Sequence, residues 1–142
     1  MRKFLTLLLL TLSFFVQAQS EQLAQNFFDR GEFEKALVNY EDLLKGQPSN
    51  FNYFQKTIEC YQQLQQFDKA EKAIQQRYEK YKQGNLLVEL GYNYQLQKSQ
   101  DKANKHYNLA LDKIKNNPAE VYQIAFVFER FAKRGFPTYS SA

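Results

Sequence analysis

One histidine and one cysteine are all that this 142-residue chain offers as imidazole and thiol chemistry. They stand far apart, at His106 and Cys60. A single His cannot build a His-rich metal site, and a single Cys cannot close an intramolecular disulfide. His106 sits between Lys105 and Tyr107 and reads as a surface or interface residue. Cys60 precedes Tyr61 and reads as a half-buried small hydrophobe; the alternative is an intermolecular disulfide in an oxidising compartment. Adjacent acids such as Glu41-Asp42 point in different directions on a helix and make no carboxylate dyad. There is no Ser/His/Asp or Cys/His arrangement beyond these single residues and no Gly-rich phosphate loop. The chain is therefore read as no enzyme, with no catalytic, cofactor-binding or metal residues.

Charge raises a second class of function. The formal net charge is +4 and the pI is about 9.1, a balance that invites a nucleic-acid reading. The basic residues are interspersed with acids, however. The best cluster, Arg130, Lys133 and Arg134, follows Glu129 and reads as a solvated helix end. No nucleic-acid partner is expected. Apolar residues at 44% and charged residues at 24% are ordinary globular values, and Gly 5, Pro 3 and no Trp argue against a turn-rich β fold.

The elements come next. Arg2 and Lys3 precede Phe4–Val16, an uncharged run dominated by Leu and Phe, and Val16-Gln17-Ala18 supplies a cleavage pattern. This is the layout of a secretory signal peptide over 1–18. The run spans roughly 20 Å as a helix, short of a ~30 Å hydrocarbon core. In style it resembles leaders of Gram-negative envelope proteins. Its removal leaves Gln19–Ala142 with 17 basic and 15 acidic residues, a net of +2. No transmembrane segment is expected after that, and the mature protein is placed in the periplasm or cell envelope, or secreted.

Apolar positions in 19–142 recur at helical spacing. Leu23, Ala24, Phe27 and Phe28 are followed by Gly31, then Phe33, Ala36, Leu37, Tyr40, Leu43 and Leu44. Phe54, Ile58 and Tyr61 precede a turn near Gln65-Gln66, then Phe67, Ala70 and Ile74 follow. Leu87, Leu90, Gly91 and Tyr94 lead to Ala103, Tyr107 and Ala110, and Val121, Ile124, Ala125 and Phe128 start once more. The first-helix packing position falls at 24, 58, 91 and 125, and the second-helix Ala at 36, 70 and 103, so the period is 33–34 residues. Ala24, Gly91 and Ala125 are small where paired helices approach closely. Surface pairs are expected at Glu41/Lys45, Asp68/Lys72 and Asp101/Lys105.

These residues resemble the tetratricopeptide repeat, whose pattern is Trp-x2-Leu-Gly-x2-Tyr, Ala-x3-Phe, Pro. The third unit carries Leu87-x2-Leu90-Gly91-x2-Tyr94 and Ala103-x3-Tyr107, and the first carries Leu23-Ala24-x2-Phe27, Ala36-x3-Tyr40 and Pro48. Departures are the missing Trp, the large Ile58 and the second unit's lack of a closing Pro. The resemblance implies an all-α, right-handed α-solenoid of antiparallel helix pairs, about 3.5 repeats, at 19–50, 51–84, 85–117 and a partial 118–142. It also implies a concave groove lined by first helices. By register its residues are Gln25, Phe28, Asp29, Asn52, Gln55, Glu59, Gln62, Val88, Tyr92, Gln95, Tyr122, Phe126 and Glu129. The Lys/Asn/Arg carboxylate clamp of some members is absent, since Glu21, Gln25, Gln55 and Val88 stand there.

After Phe128 the fourth unit departs, with Gly135-Phe136-Pro137 as a break, Thr138 or Ser140 as caps of a following helix, and Ala142 as that helix's small packing residue. The expected function is an exported protein-interaction scaffold that takes a peptide or partner helix in its groove. The alternative is the N-terminal adaptor of a longer envelope enzyme or signalling protein. A third reading is self-association through the unfinished end.

Overall fold

The computed structural model describes Met1, Lys3 and residues 19–134. The expected signal peptide and the Gly135-Phe136-Pro137 break lie outside them. The described residues form helices and connecting turns with no strand, so the all-α class is as the periodicity predicts. Residues 19–29 are helical (α1). Then come α2 (Phe33–Gly46), α3 (Phe51–Gln63), α4 (Phe67–Tyr81), α5 (Gly84–Leu96), α6 (Gln100–Asn116) and α7 (Val121–Lys133), with a 3-10 turn at Pro118–Glu120. The chain divides into two compact units, 1–66 and 67–142.

Three turns repeat one geometry. Gly31, Gln65 and Lys98 have φ of 73°, 57° and 58°. At each, the next amide donates five residues back: Glu32 to Phe27, Gln66 to Tyr61 and Ser99 to Tyr94, at 2.9, 2.8 and 2.9 Å. The turn residue's own amide donates three back, to Phe28, Gln62 and Gln95. This paired bonding is the Schellman cap, which satisfies carbonyls that the helix end leaves open. The left-handed residues stand 34 and 33 positions apart, so the sequence period is also a backbone period. The second repeat, 51–84, lacks a closing proline; there Lys82 turns the chain with φ 52°.

In the first unit, Ala24, Ala36, Tyr40, Leu43, Tyr53 and Cys60 form the buried core, with Phe27, Phe28, Phe33, Leu37 and Leu44 packed on it. Tyrosines place rings in the core and send hydroxyls to amides or carboxylates on neighbouring helices, as buried Tyr requires. Tyr40 donates to Gln25 at 2.9 Å, Tyr53 to Glu21 at 2.9 Å, and Tyr61 to Glu41. Glu41 is thereby engaged, and Lys45 pairs instead with Asp42 at 2.9 Å. The expected Glu41/Lys45 pair is corrected accordingly. Asn50 caps α3 by accepting from the Tyr53 amide.

In the second unit α5 is central. It contacts α4, α6 and α7, and residues 84–94 are all buried. The same hydroxyl pattern continues: Tyr94 donates to Glu71 and Tyr107 to Gln95, both at 2.6 Å. Gly91 is small because the Tyr107 ring lies where its Cβ would be. Ala103 and Ala110 form the buried stripe of α6.

The first helix of the fourth repeat, α7, departs from its expected register. Ala125 is exposed, whereas Ile124, Val127 and Phe131 are buried. The inward position is thus Ile124, 33 residues after Gly91, one residue before the expected Ala125. A 3-10 turn, wound at about three residues per turn, precedes α7. Packing holds that register: a Cβ on Gly84 would lie 2.8 Å from Ile124 Cδ1.

Candidate interaction surfaces

The expected groove residues of the first unit are mostly engaged by their own neighbours. Gln25 accepts from Tyr40 and donates to Asp29 at 2.6 Å. Phe28 packs edge-on against Phe33 and Tyr40, with centroids 5.4 and 6.3 Å away, and Lys56 Nζ lies 3.8 Å over its ring. Phe28 is therefore a core aromatic with a cationic cover. Gln55 and Gln62 are buried, Glu59 is half-buried, and Asn52 is exposed. Cys60 is a free, fully buried thiol, and burial pushes it up to about 12. It behaves as the small hydrophobe that its helical setting predicts.

The second unit separates the rest into two groups. Val88 and Tyr92 are buried. Tyr92 lies flat on Phe131, with centroids 3.8 Å apart and planes 8° from parallel. That stack joins α5 to α7, so Tyr92 serves packing and is not an exposed anchor. Gln95 is occupied by the Tyr107 hydroxyl. Burial raises the Tyr107 hydroxyl pKa, and the charges of Tyr92 and Glu89 add to it. On α7, by contrast, Tyr122 is 87% and Phe126 59% exposed. Glu129, on the same helix, pairs with Lys133 at 2.7 Å.

One pair at this site escapes the sequence reading. Glu89 has no exposed surface, and its Oε1 lies 2.6 Å from Arg130 Nη2. Arg130 is not part of a solvated basic end, because its side chain keeps 18% of its exposure. This corrects the expectation for the Arg130, Lys133 and Arg134 cluster. The guanidinium also stacks near Phe131, 4.8 Å from the ring centroid. Two of its N–H groups, on Nε and Nη1, and the Asn85 Oδ1 acceptor have no hydrogen-bond partner in the fold. Asn85 lies one turn before Glu89 on α5, on the same face. Buried polar atoms are normally bonded, so such a cluster calls for a partner group. The signal was a lone acid inside Leu86-Leu87-Val88-Glu89-Leu90, with its cation 41 residues on.

His106 places Nδ1 2.8 Å from the Lys102 carbonyl and tilts on Tyr94 at 5.1 Å. It is a helix-surface residue. Among the described residues, no group of three or more His, Cys, Asp or Glu is placed to hold a metal. No described helix is long and apolar enough to cross a membrane.

Compared with known families, residues 18–123 match the TT21 fifth ARM repeats domain. No curated protein matches the chain. Helical repeat domains of this kind are typical protein-interaction scaffolds, built from stacked units that present extended surfaces.

Proposed function

We propose, because the chain belongs to the family of TT21 fifth ARM repeats domains, that it is a non-catalytic interaction module binding an extended peptide or partner helix. The observation that carries this reading is the Asn85–Glu89–Arg130 cluster at the α5/α7 seam. It combines one acceptor, Asn85 Oδ1, with two donor nitrogens of Arg130, all buried and unpaired within the fold, which a peptide backbone reaches when α7 shifts away from α5. An extended peptide backbone offers the complementary N–H and C=O groups. The 33–34-residue period and the Ala-x3-Tyr spacing favour tetratricopeptide-type pairs within the broader helical repeat class, and with them the right-handed solenoid. The basic start, the uncharged Phe4–Val16 run and the Ala18 cut favour export, with the mature chain acting in the periplasm or cell envelope.

The test is a peptide array probed with the protein and with Arg130→Lys. Lysine keeps a cation for Glu89 but removes the guanidinium's fork of donors. Binding is expected to fall at least about tenfold, with helical content unchanged. Equal capture by the variant, or no peptide captured by the wild type, overturns the assignment. N-terminal sequencing of protein expressed in a Gram-negative host tests export, with Gln19 as the expected first residue.

A further inference from the structure

We propose that the outward face of α7 pairs with the same face of a second copy of this chain, in an antiparallel two-fold arrangement. At about 100° per residue, Tyr122, Phe126, Glu129 and Lys133 fall within a narrow outward stripe, with Ala125 at its edge. This stripe lies opposite the buried Ile124, Val127 and Phe131. Among the described residues of the second unit, Tyr122 and Phe126 are the two most exposed large apolar side chains, at 87% and 59%. A helix with apolar side chains on both faces still has one face to cover.

The order of residues on this stripe is self-complementary. Take the two-fold axis between positions 125 and 126. At ~1.5 Å rise per residue, Tyr122 and Glu129 then lie about 5 Å on either side of it. In the antiparallel partner their levels exchange, so each Tyr122 hydroxyl meets the other copy's Glu129 carboxylate. Ala125 of one helix meets Phe126 of the other, the small residue receiving the large ring. Glu129 and Lys133 are already paired within each copy at 2.7 Å, so like charges do not oppose one another. Such an isologous contact closes on itself. Two aromatic side chains per copy cover a few hundred Å², below the ~800 Å² per partner of a standard interface. The dimer is therefore weak and reversible.

Sedimentation velocity on protein produced from the full reading frame, taken over a concentration series to millimolar, tests this. The sedimentation coefficient is expected to rise with concentration. Phe126→Asp returns the protein to monomer at every concentration, and Tyr122→Phe raises the dissociation constant severalfold. Leu109→Asp, at an exposed position of α6, leaves association unchanged. Circular dichroism checks that each variant is folded. A concentration-independent monomer overturns the proposal, as does association that survives Phe126→Asp or is lost equally in Leu109→Asp. A monomer whose Phe126 is shielded from a paramagnetic cosolute also overturns it, because the chain itself then covers the face.

Discussion

Arg130 on α7 reaches across to Glu89 on α5, Nη2 to Oε1 at 2.6 Å, and the carboxylate it meets has no exposed surface. Removing one member of such a pair leaves a charge buried without its counterion, which costs about 3–5 kcal/mol. Replacing both with apolar residues of similar volume is near neutral. Arg130→Leu is thus expected to lower the unfolding free energy by several kcal/mol, and Glu89→Leu added to it to restore most of the loss. Urea titration of the single and double variants checks this. Equal stability of the single variant and the wild type would mean that Glu89 is hydrated.

Gly91 makes a steric prediction. An added Cβ there enters the Tyr107 ring, and that ring is held by its hydroxyl bond to Gln95. Alanine gains up to about 1 kcal/mol in helix propensity but overpacks a filled site, at about 1–3 kcal/mol. Gly91→Ala is expected to destabilise by about 1 kcal/mol. Combining it with Tyr107→Leu removes the clash, so the added methyl group should cost less in that background. Thermal melts of the four proteins decide it, and additive effects would show that the ring and the methyl group do not meet.

The three Schellman turns give a prediction of the opposite sign. Gly31 adopts its positive φ without a Cβ penalty, whereas Gln65 and Lys98 hold the same conformation as ordinary residues. The left-handed conformation costs a non-glycine residue roughly 1–2 kcal/mol. Glycine also loses more backbone entropy on folding, which offsets part of that gain. Gln65→Gly and Lys98→Gly should each stabilise by about 0.5–1 kcal/mol, and Gly31→Ala should destabilise. Denaturant midpoints provide the measurement, and a lower midpoint for both glycine variants would remove the strain argument.

The sequence period makes the fold legible because positions 24, 36, 58, 70, 91 and 103 meet the same demand in every repeat, and all six are buried. It misplaces Ala125 because a small residue does not mark the inward face there: Ile124, 33 residues after Gly91 and still within the period, is buried instead. The surface was less legible. Tyr92 reads as a groove aromatic by register alone, yet Phe131, outside the repeated pattern, stacks on it. Glu89 and Arg130 are 41 residues apart, and nothing local to either announces the pair. Periodicity reports which face turns inward, whereas a cross-helix ion pair depends on which two helices become neighbours.

Alkaline pH should weaken the fold. Burial raises the Cys60 thiol from its usual 9.0 to about 12, with Glu59 adding to the shift. The Tyr94 hydroxyl is raised from 10.0 to about 12, first by burial and then by its bond to Glu71. Tyr40, Tyr61 and Tyr107 shift upward as well, each chiefly through burial. Below pH 9 both folded and unfolded chains keep these protons, and stability is complete. Between pH 9 and about 12 the unfolded chain releases protons that the folded chain retains, so unfolding becomes more favourable as pH rises. Chemical denaturation should show a flat unfolding free energy to about pH 8.5 and a loss of about 2 kcal/mol or more by about pH 11. Cys60→Ala should flatten the first part of the decline, where the thiol is the group with the lowest unfolded pKa. A thiol reagent at pH 8 should leave native Cys60 unmodified and react only after denaturant is added. Rapid labelling of the native protein would mean that the first-unit core opens readily and that the thiol is not held in it.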